Sequence, residues 1–458
     1  MSYIGSTPTT QSFISGTDYF NGTGSQTAFT LSRTVASIND IQVTVNNVVQ
    51  QPNDAYTISG TTLTMTSAPS AGTNNVYVRY LSTTTQAITP SQNTVSWSTL
   101  DSNVQGDLGI SFKNRIINGA CTIAQRGTSF TGLTSGGNAF PVDRFRVSNS
   151  DTVSVVSASQ VTDAPAGFVN SIRTQVTTIN ATPNNETFIE QIIEGFNTNG
   201  FAYGTSSAVS LTLSFWVKAS VAGIYNVWFL NAAATKNVAS SFTINSANTW
   251  EYKTIIISGD SVSALATDNT ASFYVRWYLN AQNALVGTLD STWTAGGGNR
   301  LATGSVRFTS TLNATYQITG VQLEVGTQAT TFTTAGGSYG AELALCQRYF
   351  VNVLNASVDI QQIITRDSTT QNWINLATPV SMRSTPTLGV PSGFGRIIAY
   401  DTSFNIGFPT ISSMSIGAVG GANQYHILIS ASSSSGSNVY TSYDTLGAST
   451  PLSLSAEL

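Results

Sequence analysis

The strongest segments of this chain alternate hydrophobic and polar residues with a period of two, the spacing that buries one face of a β-strand. Over residues 271–279, Phe273, Val275, Trp277 and Leu279 fall on one face, and Tyr274, Arg276 and Tyr278 on the other. Similar strands are predicted at 211–218, 224–230, 250–257 and 316–325, separated by polar loops. Strands of this length in this arrangement predict a double-sheet jelly roll over residues 113–335. Residues 188–193 read equally as a brief helix or an edge strand. Before this domain, residues 1–81 predict a small N-terminal β-sandwich. Its strands lie at 27–31, within 38–45, at 48–51, on both sides of Gly60 within 55–65, and at 75–80. Residues 18–24 read as turn-rich, and Asn46-Asn47 as a turn. Residues 82–112 form a polar linker with a short helical or extended portion at 96–100; they connect domains or pack along a symmetry axis. Good helix formers after Gly340 predict a connecting helix within 336–350. Residues 351–458, with strands at 395–400 and 424–429, predict a C-terminal β domain. The fold class is all-β and multidomain.

Composition narrows the class. Charged residues make up 9% of the 458, where about a quarter is usual. Yet 41% are hydrophobic, with 21 Phe, 17 Tyr and 7 Trp, so the chain folds rather than remaining disordered. The net charge is -4 and the basic residues are dispersed, which argues against nucleic acid as a partner. An apolar run of about 18 residues is missing, so membrane insertion is not expected. The first six residues lack the basic and apolar regions of a secretory signal. A β-rich surface protein of this kind would leave the cell by host lysis after assembly into a virion. Cys121 and Cys346 are the only cysteines. They are expected as buried thiols, with a disulfide left open because both flank the large domain.

Candidate chemistry is sparse. Hydrolysis of a glycan needs two spaced carboxylates, and no spacing selects a pair among Asp143, Glu190, Glu194, Glu251 and Glu324. His426 is the sole histidine and lies in a predicted strand, a poor place for the base of a triad. Gly296-Gly297-Gly298 lacks the lysine and helix of a phosphate loop. The loops around Asp151 and Asp163 offer oxygen atoms, but no regular acidic spacing supports calcium. No catalytic residue, metal or cofactor is assigned. Trp216, Trp228, Trp277 and Tyr278 are the aromatics best able to support a sugar, although Trp277 belongs to a core face. Tyr274, Arg276 and Tyr278 are the candidate ligand-binding face, for a glycan or for another subunit.

Several stretches carry a resemblance. Residues 112–120 (Phe-Lys-Asn-Arg-Ile-Ile-Asn-Gly-Ala), with Ile123, Ala124, Gln125 and Arg126, are similar to the opening signature of a module in tail-fibre, tail-spike and related appendage proteins of tailed bacteriophages. Pro141-Val142-Asp143-Arg144-Phe145 sits where that module has a Val-Asp-Arg-Trp-like element, with Phe145 in place of the common Trp. Residues 318–326 and 341–350 resemble its closing part, and residues 379–387 and 454–458 resemble the same family. Residues 18–80 look like an N-terminal module that attaches an appendage to the particle. The resemblance implies a carbohydrate-binding-like jelly roll in a virion tail appendage that attaches to a host surface glycan. It also implies a homotrimer joined to tail, baseplate or adaptor proteins. Within it, Asn114, Arg115, Asn118, Gln125, Arg126, Asp143, Arg144, Gln347 and Arg348 are expected to organise structure, Asp143 pairing across a loop with Arg126. The alternatives are a glycan-depolymerising tail spike and a capsid head-fibre or decoration protein.

Overall fold

The computed structural model describes residues 16–81, 112–233 and 235–354, and in the C-terminal part 365–366, 371–390, 396–400, 406–407, 411–421, 424–431, 441–444 and 452–458. The expected feature at 96–100 lies outside these residues. The protein is all-β, with one α-helix among the described residues, and its contacts divide it into two compact units, Met1–Thr99 and Leu100–Leu458.

In the first unit, one sheet has the order Thr17–Gly22, Gly72–Tyr80, Ile41–Val45, Val48–Val49, and a second has Ala28–Thr30, Thr62–Met65, Tyr56–Ser59. Phe29, Val43, Tyr56, Leu63, Val76 and Val78 form their shared core. Asn46 and Asn47 take φ values of 47° and 67°, the left-handed pair that a two-residue hairpin turn demands. The turn-rich reading of residues 18–24 is corrected, since Thr17–Gly22 is a strand paired with Gly72–Tyr80. Long-range pairing overrides the local composition. Asp18 fixes this strand by accepting from the Tyr80 hydroxyl at 2.6 Å and from the Ser32 amide at 2.7 Å.

The second unit is built around two antiparallel sheets packed face to face. The seven-stranded sheet runs Thr294–Ala295, Lys236–Ile244, Gly223–Asn231, Ala271–Asn280, Thr187–Glu194, Phe145–Asn149, Gly137–Val142. The six-stranded sheet runs Glu251–Ile257, Leu211–Ala219, Thr315–Val325, Ser171–Thr178, Val155–Val161, Ser129–Leu133. The expected alternation holds in the core: Phe273, Val275, Trp277 and Leu279 meet Leu213, Phe215 and Val217 of the opposite sheet. Trp277 is fully buried, with the Phe215 ring 5.6 Å away across the sandwich. Pro141, which has no N–H to give a ladder, lies on an edge strand of the seven-stranded sheet, where it is tolerated.

Residues 188–193 are neither a helix nor an edge. Thr187–Glu194 is an interior strand with all eight positions buried, so burial on both faces erases the alternation that would have marked it. The helix Tyr339–Gln347 starts at Ser338, whose hydroxyl accepts from the Ala341 amide. It ends before Phe350–Leu354, a strand that enters the C-terminal β part beside Leu452–Ser455. Val351, Leu376, Met382, Tyr425, Leu452 and Leu454 form the core there. Cys121 and Cys346 are both buried free thiols, which closes the disulfide alternative. Burial pushes the Cys121 thiol up to about 12.

Candidate functional site

The segment that opens the large domain lies across both sheets. Arg115 N–H donates to the Leu323 carbonyl, and Val321 N–H donates to the Gly119 carbonyl, both at 2.9 Å. The Asn114 amide nitrogen donates to the Val321 and Thr333 carbonyls at 3.0 Å each. Its oxygen accepts from the Ile116 and Leu323 amides at 2.9 and 3.1 Å. From the other sheet, Gln191 accepts from the Ile117 N–H and donates to its carbonyl, both at 2.8 Å. Each buried polar group is thus paired, which makes this segment a fixed closure rather than a free arm.

Asn118, with φ of 62°, turns the chain. Its amide nitrogen donates to the Ile123 and Asp143 carbonyls at 2.9 and 3.0 Å, and its oxygen accepts from the Thr122 and Ile123 amides. The Asp143 carboxylate accepts from the Gln125 N–H at 3.1 Å and lies 3.7 Å from Arg126. Burial raises its pKa, partly offset by those partners. Arg126 lies over the Phe350 ring at 3.7 Å and pairs with Glu457 at 3.0 Å. Arg144, at φ 72°, lies over the Tyr349 ring at 3.5 Å and pairs with the same Glu457. Arg348 and the Tyr349 hydroxyl both bind Glu194 at 2.8 Å. Arg383 donates to the Ala456 and Glu457 carbonyls. Arg115 lies over the Phe112 and Phe201 rings, and Gln347 closes the helix half-buried. Stretches distant in the chain therefore meet in one polar node under the C-terminal strand.

The candidate ligand face lies beside this node, on the outer side of the seven-stranded sheet. Register sets Arg146 opposite Glu190, Glu190 opposite Arg276, and Arg276 opposite Trp228. Glu190 is fully buried and ion-paired to both Arg146 and Arg276. Burial alone would lower the pKa of Arg276, but Tyr278 and Glu190 outweigh it and keep the guanidinium charged. Tyr274 and Arg276 are half-buried. Tyr278 is only 1% exposed, which corrects the expectation of three residues on one open face. The loop between Asn280 and Ser305 covers it: Leu285, Val286 and Leu301 pack with Phe188, Trp228 and Tyr278, while Arg300 lies 4.5 Å over the Trp228 ring and 3.3 Å from Glu186. Trp216 lies on the other sheet, beside the exposed Tyr252.

Arg146 and Glu190 were not legible as ligand-face residues. Their contact comes from strands far apart in sequence, and no local motif announces it. Among the described residues, no group of three or more His, Cys, Asp or Glu is placed to hold a metal ion. Asp151 instead accepts from the Ser154, Val153 and Asn184 amides, and Asp163 from the Trp250 indole N–H and Gln317. The side chain of His426 lies outside the described residues.

No family model matches the chain, and no curated protein matches it. Solved structures give weak likenesses. One is the enzymatically active domain of tailspike protein 4 of bacteriophage CBA120, at 13% identity and a TM-score of 0.26, covering 47% of this chain. The match spans only 22% of the tailspike chain. Another is TmCBM61 in complex with β-1,4-galactotriose, at 9% identity and a TM-score of 0.24, covering 46% of this chain and 99% of that one. A third is the family 11 carbohydrate-binding module of Lic26A-Cel5E of Clostridium thermocellum, at 13% identity and a TM-score of 0.21, covering 43% and 99%. Likenesses this weak carry no argument about ligand or activity.

Proposed function

We propose that this protein is a virion structural protein, a tail-fibre or related appendage subunit of a tailed bacteriophage that attaches to a host surface glycan. The observation that carries the reading is the polar node. The stretches that resemble the phage module, at 112–126, 141–145, 341–350, 379–387 and 454–458, contribute to one connected set of hydrogen bonds, ion pairs and stacked arginines. The resemblance is therefore that of one cooperating structural unit rather than of scattered short matches.

The role is binding without turnover. Glu190, Glu194, Glu251 and Glu324 are each engaged by cations or hydroxyl and amide donors that fix them in place. In this reading the N-terminal unit joins the particle, the chain assembles as a homotrimer, and the outer face around Tyr274 and Arg276 meets the glycan.

A glycan array with the purified chain tests the binding half. Tyr274→Ala is expected to weaken the wild-type signal about tenfold, with sedimentation unchanged, as loss of a stacking ring should. An unchanged array profile would reject this face, and a change in sedimentation alone would make it a subunit contact.

A further inference from the structure

In a chain this poor in charge, arginines gather on one side of one sheet. Two of them, Arg146 and Arg276, meet the single carboxylate of Glu190. Arg276 is enclosed: it donates to the Tyr278 hydroxyl at 3.2 Å and lies over the Phe188 and Tyr274 rings. Arg146 is the open member. Its side chain is 28% exposed, and its Nε is buried without a hydrogen-bond partner.

Arg146 also lines a small open recess whose other walls are Phe140, Arg144, Glu190, Ile192, Glu457 and Leu458. Glu457 is itself shared by two arginines, Arg126 and Arg144. Arg144, Arg146 and Arg276 thus face Glu190 and Glu457, which leaves one positive charge in excess at the recess. Holding Glu190 does not require Arg146, because Arg276 already pairs with that carboxylate.

We infer that this recess receives the carboxylate of an acidic sugar, a uronic-acid-type or sialic-acid-type residue of a surface polysaccharide, with Arg146 reading the charge. A guanidinium presents planar paired donors that match a carboxylate, and Nε is one of them. Phe140 and Ile192 supply the apolar wall for the C–H face of the ring. A neutral sugar would leave both the excess charge and the orphan donor unmatched. The inference rests on the glycan-binding reading above and adds the ligand class.

The test is calorimetric titration of the full chain with galacturonate, glucuronate, alginate and sialyl oligosaccharides, each beside the same oligosaccharide with its carboxyl groups reduced to alcohols. At least one acidic form should bind roughly tenfold or more tighter than its reduced partner, as a charge-assisted pair requires. Arg146→Gln should erase that difference without moving the melting temperature. Equal binding of acidic and reduced forms would overturn the inference and leave glycan binding standing. So would a preference that survives Arg146→Gln, or binding confined to neutral glycans on the array. An array blank for every glycan would instead overturn the glycan reading, and this inference with it.

Discussion

Single side chains in this protein are held by dense local satisfaction rather than by long-range charge. Asp151 illustrates this. Burial pulls its pKa up, but donors from Ser154, Asn180, Val153 and Asn184 outweigh burial and hold it below the usual 3.8. A carboxylate whose folded pKa is depressed contributes stability that is fully present above its unfolded value and is lost as pH falls through the folded one. Asp151→Asn should therefore cost about 1–3 kcal/mol at neutral pH. It should also flatten the loss of melting temperature below about pH 4. Calorimetry of both proteins from pH 7 to pH 3 checks this; parallel curves would contradict it. The sequence offered Asp151 only as one oxygen-rich position, because its partners Asn180 and Asn184 arrive from a separate loop. Asn114, Asn118 and Asp143 were legible as structural by resemblance, but the atoms they bind were not.

Among elements, strands with one wet face could be read and strands buried on both faces could not. Ala271–Asn280 keeps its alternation and was placed within a residue, whereas Thr187–Glu194 has no alternation left to read. Thr17–Gly22 was lost for a different reason, since its pairing with Gly72–Tyr80 is non-local. The segment that opens the large domain depends on close backbone approach: a Cβ at Gly119 would run into the Val321 carbonyl and lie 3.3 Å from the Asn114 amide nitrogen. Gly119→Ala should lower the stability of the second unit by about 1–3 kcal/mol. In a calorimetric scan its transition should move down while that of the N-terminal unit stays in place. An unmoved transition would show that the segment is not tied to Thr315–Val325 in solution.

At the scale of the whole molecule, scarcity of charge and its placement belong together. A surface of Ser, Thr, Asn and Gly hydrogen-bonds hydroxyl-rich neighbours readily, and most of the charge that remains in the second unit is spent on the node and on the row Arg146–Glu190–Arg276. The all-β class was legible because strand periodicity and turn composition are local. The ligand face was half legible: the strand carrying Tyr274 and Arg276 could be read, but the loop over Tyr278 could not, since its covering residues come from a stretch without strong periodicity. The most direct test of the central claim is cryo-electron microscopy of intact phage particles that carry this chain. The account predicts three copies per appendage at the tail, with the N-terminal unit against the particle and the outer face of the seven-stranded sheet exposed. Density spread over a capsid shell, or none on the particle, would contradict it.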